Sequence, residues 1–128
     1  MLTGICLGTN DLAKAGQFYD VVLGTIGMRC KYEEPHERGY AGNDGVVSVW
    51  IVSPFNEKPA TYGNGTQVIF EAADKAAVDA FYAAALANGG TDEGPPGPRS
   101  YHPDYYGAYM RDHDGNKLHV AIPVTFPD

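Results

Sequence analysis

Residues 105–122 read YYGAYMRDHDGNKLHVAI, two alternating runs joined by Asp112-His113-Asp114-Gly115-Asn116. Asp-Gly between alternating runs is a strong hairpin signal, because the tight turn asks its central residues for a positive φ that glycine and asparagine-like residues tolerate. In the second arm Leu118, Val120 and Ile122 fall on one face, and Lys117, His119 and Ala121 on the other. His119 therefore stands in the middle of a face that is otherwise small or polar. It is the first candidate for chemistry.

Upstream of the hairpin, residues 94–104 hold four prolines and predict a long irregular loop, preceded by a strand stub at 91–93. Asp74 can cap a helix whose apolar stripe is Val78, Phe81, Tyr82, Ala85 and Leu86, stopped by Asn88-Gly89-Gly90, and residues 66–72 alternate as a strand. The Pro-, Asn- and Gly-rich stretch before it, with Pro54, Pro59, Gly63 and Gly65, reads as a linker. The first half follows the same plan. A strand at 2–8 leads through Thr9-Asn10-Asp11 into a helix carrying Leu12, Ala15, Phe18, Tyr19 and Val22, which stops near Gly24. A strand at 28–33, a polar loop at 34–39, a short strand near Tyr40 and Ala41, a turn at Asn43-Asp44-Gly45 and a β-branched run at 46–52 complete it.

The likeness of the halves can be counted. A shift of 63 residues places Ile5 on Val68, Leu7 on Phe70, Asp11 on Asp74, Phe18 on Phe81, Tyr19 on Tyr82 and Gly27 on Gly90. One constant offset with several identities indicates an internal duplication of a strand, a helix and three strands. The expected organisation is one domain over 1–128: module one at 1–53, a linker at 54–64 and module two at 65–128. The later loops differ in length, so either Val49 or Trp50 corresponds to His119.

Composition bounds the function. The hydrophobic fraction of 44% and charged fraction of 20% are those of an ordinary globular chain. A net charge of −7 with scattered Lys and Arg argues against nucleic acid and anionic membranes, which need clustered cations. Cys6 and Cys30 form no disulfide framework and no metal spacing. With no apolar run near ~18 residues and no signal-peptide series, a cytoplasmic location is the expectation.

The duplicated βαβββ pattern, the Asn10-Asp11-Leu12 opening, the Gly63-Asn64-Gly65-Thr66 entry to the fifth strand and the Asp112-x-Asp114-Gly115-Asn116-Lys117 hairpin resemble the vicinal oxygen chelate superfamily. Glyoxalase I, bleomycin resistance proteins and extradiol dioxygenases belong to it. The resemblance covers nearly the whole chain. It implies an α+β fold in which two modules form a curved mixed sheet, helices on the convex face and a cavity on the concave one, and it implies a homodimer. Metal-dependent members take ligands from the first, fourth, fifth and eighth strands. Carried over, those slots fall on Gly4, on Val49 or Trp50, on Gln67 and on His119.

Glycine, valine and tryptophan supply no ligand atom. Two neutral donors, His119 and Gln67, make a weak set compared with the three or more protein ligands of a catalytic site. The pattern therefore predicts a small-molecule pocket without a cofactor, lined by Gln67, His119, Trp50, Cys6, Glu71, His102 and Tyr106. The alternative is a divalent-metal enzyme (Zn, Ni, Fe or Mn) of glyoxalase lyase/isomerase or dioxygenase type, with His119 and Gln67 joined by an acidic group such as Glu71.

Each candidate has an ordinary structural role as well. His119 and Gln67 can simply bond one another across adjacent strands. The cluster Tyr101-His102-Pro103-Asp104-Tyr105-Tyr106 is a stacking lid or a loop that buries its own tyrosines. Trp50 is a cavity wall or core, Cys6 a small filler, and His36 and His113 solvated loop and turn residues. Arg99 is the loop cation that could meet an anionic group.

Overall fold

Asp11 and Asp74 start the two helices in the same way. Each has an extended backbone, and its carboxylate accepts the amide three residues on, Lys14 at 3.0 Å and Ala77 at 2.9 Å. One orphan donor of each first turn is thereby satisfied. The computed structural model describes all residues of the chain, 1–128. Helices α1 (Leu12–Gly24) and α2 (Lys75–Ala87) follow strands β1 (Ile5–Gly8) and β5 (Val68–Glu71), so the 63-residue offset holds residue for residue through both pairs. Three strands complete each module: β2 (Arg29–Glu34), β3 (Glu37–Ala41) and β4 (Val47–Val52), then β6 (Thr91–Gly97), β7 (Gly107–Arg111) and β8 (Lys117–Ala121).

Each module is a four-stranded mixed sheet, in the orders β1-β4-β3-β2 and β5-β8-β7-β6, with one parallel pair and two antiparallel pairs. No ladder joins β1 to β5, so the curved sheet of this α+β fold is built in two halves, with no closed barrel. Alternation decides which face is which. Leu7, Val49 and Ile51 from one sheet and Phe70, Leu118 and Val120 from the other meet Phe18, Tyr19, Val22, Val78 and Phe81 of the helices in one shared core. The opposite faces are left for a site.

The polar stretch expected as a loop at 34–39 is instead a tight hairpin, with β3 beginning at Glu37. Its one cation is taken up by ion pairing. Arg38 folds onto α1, pairs with Asp20 and Glu33 at 2.9 Å each, and hydrogen-bonds Tyr40. Gly16 makes the approach possible, since a Cβ there would stand 2.8 Å from Arg38 Nε. The expected strand stub at 91–93 likewise runs on to Gly97 as an edge strand, its ladder interrupted around Gly94. Prolines are tolerated there because the outer side of an edge needs no amide donor.

The last hairpin also departs from its sequence reading. Only Gly115 takes a positive φ, of 89°. The connection is held by the buried Asp112, whose Oδ1 accepts the amides of Asp114 and Asn116 at 2.9 Å each. This turn docks onto module one: Tyr19 donates to Asp112 at 2.6 Å, Asn116 to the Gly8 carbonyl at 2.9 Å, and the Asn10 amide to Asp114 at 2.9 Å. Docking buries His113 too, correcting its reading as a solvated residue. Its side chain is only 10% exposed, with Nε2 3.2 Å from the Asp114 carboxylate.

Candidate functional site

The ladder registers identify the fourth-strand position. In module one Cys6 pairs with Trp50; in module two Ile69 pairs with His119, and the 63-residue offset carries Cys6 onto Ile69. Trp50 is thus the counterpart of His119. Val49 points the other way, into the core, at 4% exposed. Trp50 is half-buried and meets the edge of Tyr32 with ring centres 5.5 Å apart.

His119 is 7% exposed and lies among tyrosines. Its ring is stacked on Tyr109, centres 4.1 Å apart and planes 20° apart, and its Nε2 shares a 2.7 Å hydrogen bond with the Tyr105 hydroxyl. Tyr105 in turn meets Tyr101 edge-on at 5.0 Å. Nδ1 is buried and has no partner. If Tyr105 donates to Nε2, the proton of the neutral ring sits on Nδ1; with the other tautomer Nδ1 offers a lone pair. Burial, and then the positive charges of Arg99 and Lys117, hold the pKa of His119 below its ordinary value of 6.5. The ring is therefore neutral at pH 7. Burial raises the Tyr109 hydroxyl well above the ordinary tyrosine value, and the hydroxyls of Tyr101 and Tyr105 beside it add to this, so it remains protonated.

The other sequence-predicted residues scatter around this cluster. Gln67 precedes β5 and is exposed; the residue opposite His119 is Ile69, so the expected His119–Gln67 bond is replaced by the bond to Tyr105. Glu71 is exposed two residues beyond Ile69, on the same face. Cys6 is exposed beside Trp50. His102 uses both ring nitrogens on backbone, Nε2 with the Thr125 carbonyl and Nδ1 with the Asp104 amide, each at 3.0 Å. Tyr106 turns to the helix side and donates to Asp79 at 2.7 Å, leaving its neighbour Tyr105 to face His119. A cleft of about 530 Å³ lies between the modules, where Ile26, Met28 and Ser48 face Val68, Ile69 and Glu71; of its lining only Ile69 is a neighbour of His119, as its ladder partner.

A metal of the kind the resemblance implies does not fit this donor set. A Cβ on Gly4 would stand 2.7 Å from the Ser48 carbonyl oxygen, so the first-strand position cannot carry a ligand unless backbone moves. The fourth-strand position is an indole. No three His, Cys, Asp or Glu side chains in the chain converge on a common point.

Comparison with known proteins agrees with this architecture. The sequence profile of the Glyoxalase/Bleomycin resistance protein/Dioxygenase superfamily matches residues 2–120. The chain belongs to that superfamily. A glyoxalase/bleomycin resistance protein from Albidiferax ferrireducens is 38% identical over 97% of this chain and 99% of its own, with a TM-score of 0.87. A glyoxalase-related enzyme from Fulvimarina pelagi (19% identity, 99% and 91% covered, TM-score 0.78) and a fosfomycin resistance protein from Mesorhizobium loti (20%, 97% and 92%, 0.70) share the fold. No protein of curated function matches the chain.

Within the family frame, Tyr109 and Lys117 are the site neighbours that sequence reasoning missed, while Tyr105 entered only as one member of the cluster 101–106. Tyr109 left a signal: it and His119 are each five residues from Asp114, the centre of the turn, and the antiparallel register pairs them. Choosing Tyr105 over Tyr106 required the path of the loop.

Proposed function

We propose that this chain binds a small organic molecule on the concave face beside His119, without the superfamily's metal chemistry. The observation that carries this reading is the side-chain set at the four metal positions: Gly4 pressed against the Ser48 carbonyl, Trp50, Gln67, and His119 facing Ile69 rather than Gln67. A neutral imidazole, the tyrosine rings around it and the exposed Ile69 opposite it are the parts of a binding face, in which a few polar groups orient an otherwise apolar ligand. In the metal-enzyme alternative His119 and Gln67 act with Glu71; these give one imidazole, one amide and one carboxylate, with Gln67 and Glu71 two residues to either side of Ile69, the residue opposite His119.

The test is elemental analysis of untagged protein prepared without chelators, with titration of aromatic ligands against Trp50 fluorescence. The expected result is less than a stoichiometric amount of Mn, Fe, Ni or Zn, and quenching that saturates. A full equivalent of metal that is lost in His119→Ala would establish the enzyme reading instead. The working unit proposed is a homodimer, because the inner edges of β1 and β5 have no strand partner in the chain. Sedimentation equilibrium checks it, with a monomeric mass as the contrary result.

A further inference from the structure

The pocket reading leaves open what charge the ligand carries, and the surroundings of His119 speak to that. The chain has a net charge of −7, yet the charged groups that bear on His119 are cationic. The Arg99 guanidinium carbon lies 6.0 Å and the Lys117 ammonium 5.2 Å from the centre of the Tyr109 ring, on which His119 is stacked. Neither cation has a carboxylate within 4.0 Å; the ion pairs of the chain are made by Arg38, Arg111, His102 and His113. Arg111 is the instructive neighbour. It is paired with Lys117 in the ladder but neutralised by Glu93 at 2.5 Å.

Arg99 is held in place by backbone. It donates to the Pro95 carbonyl at 2.7 Å and to the Pro98 carbonyl at 3.3 Å. Gly94 and Gly97 clear the surface beneath it: a Cβ at either would stand 3.2 or 3.3 Å from a guanidinium nitrogen. Two of its five donors are satisfied by these carbonyls and the rest are free. Glu71, the acid on the same face, pairs with neither cation. An oriented arginine and a lysine without counter-ions, beside an imidazole that is neutral at pH 7, leave a positive potential that an anionic ligand would relieve.

We infer that this face is an anion seat, in which Arg99 and Lys117 receive the carboxylate of a small organic acid over Tyr109, with Ile69 against its apolar body. A carboxylate matches the planar guanidinium fork. Ile69, 62% exposed and opposite His119 in the ladder, offers the apolar contact that inorganic phosphate would not use. The inference rests on the pocket reading and adds the charge of the ligand.

Benzoate, benzamide and inorganic phosphate, each titrated into the full chain while the His119 ring resonances are followed by NMR, separate the outcomes. Benzoate is expected to give a saturable shift, with benzamide and phosphate each at least about tenfold weaker. Arg99→Gln and Lys117→Gln should each weaken benzoate about tenfold, whereas Lys31→Gln on module one should not. The Lys117 side chain makes no hydrogen bond within the fold, so that variant decides the matter should Arg99→Gln unfold. Benzamide binding as tightly as benzoate would overturn the anion seat while leaving the pocket standing. Phosphate binding as tightly as benzoate would overturn the carboxylate assignment. Silence of His119 toward all three probes would overturn pocket and seat together.

Discussion

The two modules share a plan to the residue through their first strand and helix, yet their last hairpins have opposite fates. In module one the turn at Asn43-Asp44-Gly45 is exposed, and Asp44 does no more than accept the Val46 amide at 2.9 Å. In module two the connection is of the same length, but Asp112 and Asn116 close it on themselves and fasten it to module one. The concave faces differ in the same sense. Module one shows Gly4, Cys6 and an indole; module two shows an imidazole set among tyrosines and two cations. Duplication thus preserved the core face while the site face diverged, because the core must satisfy packing in both copies and a concave face is free to specialise in one.

The turns supply the largest test. Asp112→Ala removes the acceptor for Tyr19, Asn116 and two turn amides in a buried place, and should cost about 3 kcal/mol in urea unfolding. Asp44→Ala should cost under about 1 kcal/mol, since water replaces its one exposed bond. Equal losses would break the contrast between docked and free turns.

Next comes an attempt to restore the first-strand donor. Gly4→His must push against the Ser48 backbone, and should destabilise the chain by about 2 kcal/mol while adding no bound zinc by elemental analysis. Zinc gained at unchanged stability would mean that module one's face lost its ligand by residue identity alone. Within module two, Tyr105→Phe leaves His119 Nε2 unpaired and should cost about 1 kcal/mol; no loss would show that stacking on Tyr109 alone positions the ring.

The smallest effect is a pH dependence. Burial, Arg99 and Lys117 depress the pKa of His119 in the folded chain, so the unfolded chain takes up the proton first. This contribution to stability is full above the ordinary value of 6.5 and is lost as pH falls through the folded pKa. His119→Gln should flatten the acid limb of a stability–pH curve; an unchanged limb would place the dependence on other groups.

Much of the fold could be read along the chain because it rests on local rules. Asp caps, a helical stripe and period-2 alternation each report on neighbours within a few residues, and the 63-residue repeat multiplied the signal. The failures have physical causes too. Residues 34–39 look like a loop because Glu34, Glu37 and Arg38 are charged, and only the fold brings Asp20 of α1 to neutralise Arg38. Strand β6 extends through Pro95 and Pro96 because it lies at an edge, and edge position is a property of the sheet.

The hairpin at 105–122 marks the division. By itself the sequence determined that Leu118 and Val120 share a core face and that His119 lies opposite them, since alternation along a strand depends on backbone geometry alone. Tertiary structure decided that Trp50 rather than Val49 is the counterpart of His119, that Tyr105 and not Gln67 is its partner, and that Arg99 and Lys117 share Tyr109. Those facts depend on ladder register and on the path of a proline-rich loop, which are set by contacts between residues far apart in the chain.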